Sequence, residues 1–159
     1  MQTEPEHSVY RIVIGCYQHA ERHWSARNEL LANGLRDDQI CSLGSLSVLK
    51  QDNFDPASGG LPYPQPQDGI RYETRKVEEL DVRVSCPSLF DRVLSCAQET
   101  GQSLAAWLTP AQSGAIRRKL LEDCVLLLVS TETPQQQVTS SQIQLRHGPM
   151  VVQAFNFAG

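Results

Sequence analysis

Two stretches of this chain are apolar at positions that a strand would present to both of its sides, and each is followed by a helical pattern and a second strand. Val9, Tyr10, Ile12, Val13 and Ile14 lie in the first, and the run CVLLLV from Cys124 to Val129 is the second. Strands apolar on both faces are buried on both faces, so the two belong at the centre of a sheet. The unit Ser8 to Leu49 continues with a helix that gathers Tyr17, Ala20, Trp24, Leu31 and Leu35 on one side, with Arg27 and Asn28 flanking them, and that ends at Asn33 and Gly34. Gln39 to Leu49 reads as its second strand, with Gly44 marking a bulge. The unit Asp123 to Phe157 repeats the order. Thr133, Pro134 and Gln136 form a capping signal, and Val138, Gln142 and Leu145 make a thin apolar stripe. His147, Gly148 and Pro149 stop that helix, and Met150 to Phe157 supplies a last strand.

The region between the units has two characters. Over 52–69 the residues Pro56, Gly59, Gly60, Pro62, Pro64, Pro66 and Gly69 deny regular hydrogen bonding and predict an extended loop. Its PxPxP spacing lacks the PxxP register of proline-recognition grooves. Over 70–107 the pattern is ordered: Leu80, Val82 and Val84 alternate with Asp81 and Arg83, and Leu89, Phe90, Val93, Leu94 and Ala97 form a helical stripe closed by Gly101. Thr109, Pro110 and Gln112 cap a further helix through Ile116, Leu120 and Leu121.

These elements predict a single α+β domain over 1–159, a ferredoxin-like sandwich built from two βαβ-type halves, 8–49 and 108–157, with the proline-rich loop and the helical segment inserted between them. Such a sheet carries both helices on one face and leaves the other open. Strands apolar on both faces require a cover there, from the inserted helices or from a second copy of the chain, and a homodimer is the expectation.

Composition narrows the partners. At 159 residues, with 40% hydrophobic and 20% charged side chains, the chain has enough apolar surface for a core without metal or disulfide staples. A net charge of −4 offers no general field for phosphates, so nucleic acid and anionic membrane surfaces are not the expected partners. No run approaches about 18 apolar residues, the length of a membrane span. The opening residues Met1 to His7 are polar and acidic, where a secretory signal needs basic residues followed by an apolar run, and a cytoplasmic location is expected. Cys16, Cys41, Cys86, Cys96 and Cys124 form an odd set without a CxxC pair, which fits reduced, packed thiols.

Candidate chemistry is sparse. Cys16, His19 and His23 stand at i, i+3 and i+7, a spacing that on one helix flank would converge a thiolate and two imidazoles on a metal, with Cys41 as the fourth donor of a tetrahedral set. The competing reading is a packed cysteine beside two surface histidines. His147 reads as a helix-end cation. Arg117, Arg118 and Lys119 lack a glycine-rich phosphate loop and interleaved aromatics, so a solvated face is their simplest reading. GxSxG, GxxxxGK[ST] and GxGxxG do not occur, and Ser113 has no adjacent base.

The segments Tyr10 to Gly44 and Leu108 to His147 resemble the two halves of bacterial heat-induced or general stress protein domains: a strand and a helix ending in a Gly-Leu turn, then a distal helix, an apolar strand and a helix ending in His-Gly. The glycine- and alanine-rich stretch usual between those halves is replaced here by the proline loop and the Leu89 helix. The resemblance implies a small regulatory protein in a stress-related role and supplies no catalytic residues. The expected function is therefore a non-enzymatic regulatory or protein-interaction module with an unknown protein partner and no cofactor. The alternative is a small-ligand or metal-binding protein, or a dimeric ferredoxin-like enzyme, with its site between sheet and insertion.

Overall fold

The structure, a computed structural model, describes residues 9–49, 71–77, 79–99, 101 and 114–158. The first apolar run forms β1 (Val9–Tyr17), and the second forms β5 (Val125–Thr131). They pair with each other in antiparallel register, with Val13 opposite Val129 and Tyr17 opposite Val125. Around them lie β2 (Ile40–Ser45), β3 (Glu73–Val77), β4 (Leu80–Val84) and β6 (Val151–Ala158). Among the described residues the sheet has six strands in the order β3-β4-β2-β5-β1-β6, and every neighbouring pair is antiparallel. Each half thus straddles a strand of the other: β5 lies between β1 and β2, and β1 lies between β5 and β6.

Alternation along the central strands assigns the two faces. Val13, Tyr17, Leu127 and Val129 point to one side, where they pack with Ala26 and Leu30 of α1 (Ala20–Ala32) and Ile143 of α4 (Pro134–Leu145). Ile12, Ile14, Leu126 and Leu128 point to the other. There they meet Leu89, Phe90, Val93 and Ala97 of α2 (Pro87–Glu99) and Leu121 of α3 (Gly114–Asp123). The second face is therefore covered from within the chain. Burying four such aliphatic side chains contributes roughly 6–12 kcal/mol, a sum comparable with the whole stability of a domain.

Several local expectations are corrected. Tyr17 belongs to β1, because the pairing with β5 and β6 carries the strand past Gly15, and α1 begins only at Ala20. The buried side of α1 is His23, Trp24, Ala26, Arg27 and Leu30, so Arg27 faces inward where a flanking position was expected. β2 stops at Ser45, and Gly44 is no bulge: it pairs in register with Arg83. A Cβ at Gly44 would meet the Val48 and Leu49 side chains, so glycine lets the following turn fold back over the strand. The stripe foreseen for α4 is exposed at Val138 and Leu145, and the helix buries Ser140, Ile143 and Gln144. β3 has no counterpart in the sequence expectations, because Glu73, Thr74, Arg75 and Lys76 are polar and the strand lies at an edge. The Thr133 cap is present, its hydroxyl accepting from the Gln136 backbone N–H at 3.0 Å. The proline-rich loop at 52–69 and the cap at Thr109 to Gln112 lie outside the described residues.

Candidate functional site

The three residues singled out by their spacing do not share a helix flank. Cys16 is on β1, opposite Leu126 on one side and Val151 on the other. His19 is the exposed N-cap of α1. His23 points into the protein at 0% exposure, where its Nε2 lies 2.7 Å from the Ser42 hydroxyl on β2. Cys41, the proposed fourth donor, is buried in the second-face core, and desolvation pushes its thiol up to about 12. Among the described residues, no group of three or more His, Cys, Asp or Glu side chains is placed to hold a metal ion.

His23 and Ser42 have the contact of a base and a nucleophile, yet both are closed to solvent. Burial, and secondarily the nearby Arg27 guanidinium, pull the His23 pKa down to about 3, so the imidazole is neutral across the physiological range. Its ring packs edge-on against Trp24 at 4.4 Å between centroids. The Ser42 backbone N–H donates to the Ser85 hydroxyl at 2.8 Å. The arrangement pins α1 to β2 and is structural. On the same side of the sheet, the Tyr17 hydroxyl donates to Gln144 Oε1 at 3.0 Å, and a Cβ on Gly15 would run into both of those side chains. At the surface, Glu29 of α1 binds His147 at 2.7 Å and also Arg146, which ties the start of one half to the end of the other. Hydrogen bonds from His147 and then Arg146 hold the Glu29 carboxyl below its ordinary pKa.

An open site lies elsewhere. A cleft of about 480 Å³ separates the end of β5 and the start of β1 from α2. Arg36 and Asp38 reach it from the turn after α1, Arg92 from α2, Glu132 from the end of β5 and Tyr10 from β1. The Arg36 guanidinium bonds Asp38 at 3.0 Å and Glu132 at 3.1 Å, so that wall holds two carboxylates on one cation. On the other wall the Arg92 guanidinium carbon lies 4.0 Å from the centroid of the Tyr10 ring. That ring is neutral, because burial raises the phenol's pKa, and among the described residues no carboxylate pairs with the arginine. Gln39 fixes the floor: its Nε2 donates to the Ser130 carbonyl at 3.0 Å, and its Oε1 accepts from the Arg36 backbone N–H at 3.0 Å.

These residues stand far apart in sequence and follow no local motif, so spacing arguments had nothing to detect in them. The only available signal was the general expectation of a site between sheet and insertion. No family model, curated protein or solved structure matches this chain.

Proposed function

We propose that this chain is a non-enzymatic regulatory module of ferredoxin-like type that binds a small zwitterion in the cleft between its sheet and α2. The observation that carries the reading is the two-signed lining of the cleft. Asp38 and Glu132 share Arg36, which leaves one wall with an excess negative charge, and Arg92 supplies a positive charge opposite. A ligand with an ammonium and a carboxylate complements both walls, and charge-assisted hydrogen bonds on each provide the affinity.

The ferredoxin-like assignment is supported by the order β6-β1-β5-β2 within the larger sheet, which is that of two interleaved βαβ units. A stress-related role is supported by the resemblance to general stress protein domains, and a cytoplasmic setting by five cysteines that are all free thiols. Self-association is no longer motivated by an open sheet face, and the support for a homodimer is the position of β6 at the end of the described strand order.

Calorimetry against free α-amino acids and betaine-type zwitterions tests the reading. Binding should fall by about tenfold or more on Arg92→Ala and on Glu132→Gln, because each removes one charge-assisted contact. Affinity unchanged in both variants, or heat from none of these ligands, would remove the cleft as the site and leave the protein-interaction reading.

A further inference from the structure

Three sulfur atoms converge at the end of β5 opposite the cleft. Cys124 stands immediately before β5, and Cys16 near the end of β1 is diagonal to it across the pairing that sets Cys16 opposite Leu126. Even-numbered positions on both strands face α2 and α3, so the two side chains share a face of the sheet. Their thiols are neighbours. The Cys124 thiol also reaches the Met150 thioether, at 3.7 Å between sulfurs. Met150 is held in place because its backbone N–H donates to the Cys16 carbonyl at 2.7 Å. Both cysteines are 1% exposed, whereas Met150 is 50% exposed and gives the cluster its contact with solvent.

We propose that Cys16, Cys124 and Met150 form a binding site for a soft d¹⁰ cation of the monovalent copper class. Thiolate and thioether donors without imidazole or carboxylate select such an ion over harder divalent metals. Metal–sulfur bonds of about 2.3 Å put the sulfurs of a trigonal or tetrahedral set roughly 3.8–4.0 Å apart. The observed sulfur separation is already close to that edge.

A disulfide is the competing use of two adjacent thiols, and the backbone disfavours it. Diagonal residues on antiparallel strands have Cα atoms about 7–8 Å apart, whereas a disulfide usually needs roughly 4.4–6.8 Å. A metal bridges that distance without moving either strand.

This site is independent of the ligand cleft: one lies at Cys124, the other at Ser130 to Glu132, at opposite ends of β5.

The test is anaerobic titration of the reduced protein with monovalent copper supplied as its acetonitrile complex, in competition with a chromogenic copper chelator. A single equivalent should leave the chelator, and X-ray absorption at the copper edge should show sulfur ligands only. Cys16→Ser and Cys124→Ser should each abolish that binding, and Met150→Leu should weaken it by about tenfold or more, with circular dichroism confirming the fold of each variant. Copper left wholly with the chelator, nitrogen or oxygen ligands in the wild-type spectrum, or undiminished binding by both serine variants would overturn the assignment.

Discussion

At the scale of single residues, the buried His23 makes folding sensitive to acid. Its folded pKa, near 3, lies below the ordinary histidine value of about 6.5. The unfolded chain therefore binds a proton through that interval while the folded chain does not, and the stability present above about pH 6.5 is lost as pH falls toward 3. Carboxylates such as Glu29 add to the same trend, so the histidine is isolated by difference. Compared with wild type, His23→Gln should be less stable at neutral pH, and its deficit should shrink by about 1.4 kcal/mol per pH unit below pH 6.5. Urea denaturation at a series of pH values measures this, and a deficit independent of pH would mean that His23 is protonated in the fold. The residue also shows where sequence reasoning ran out. Its position on the first helix was legible, but its direction was not, because the phase of the helix was counted from Tyr17 when pairing with Val125 keeps Tyr17 in the strand.

At the scale of elements, the apolar runs of β1 and β5, the Leu89 stripe of α2 and the Thr133 cap of α4 were legible, since each rests on local pattern. What failed depended on partners distant in sequence. α4 has a weak stripe, and contact with Tyr17 buries Gln144 while Val138 and Leu145 stay outside. The polar residues of β3 become a strand only because β4 offers them a ladder. Glu79, immediately before β4, sits at φ 75°, a left-handed conformation that costs a side-chain-bearing residue about 1–2 kcal/mol. Glu79→Gly relieves that strain, less glycine's larger loss of chain entropy on folding. The urea midpoint should rise by the equivalent of up to about 1 kcal/mol with an unchanged m-value, and a lower midpoint would show that the Glu79 side chain contributes more than its backbone costs.

At the scale of the whole molecule, α2 and α3 supply the cover that the central strands demanded, which moves the argument for self-association from the sheet face to its edge. Phe155 on β6 packs against the second-face core, so its replacement by a charge reports on folding and not on an interface. Ala154 is exposed on the same strand. Edge pairing of β6 with a second copy should give a dimer mass in light scattering, and Ala154→Lys should return a folded monomer, because an inserted lysine blunts a strand edge. A monomer at every concentration in the wild type removes edge pairing.

The interleaving of strands has a consequence for the order in which the chain can acquire structure during synthesis. Among the described strands β1 and β2 are made first, yet they do not pair; the strand that joins them, β5, is made only after α2 and α3. The N-terminal half thus leaves the ribosome with two apolar strands and no partner to lie between them, and long-range closure of this kind is slow. Central sheet formation is in effect postponed until residue Thr131 has emerged, and β6, made later still, pairs with the other side of β1.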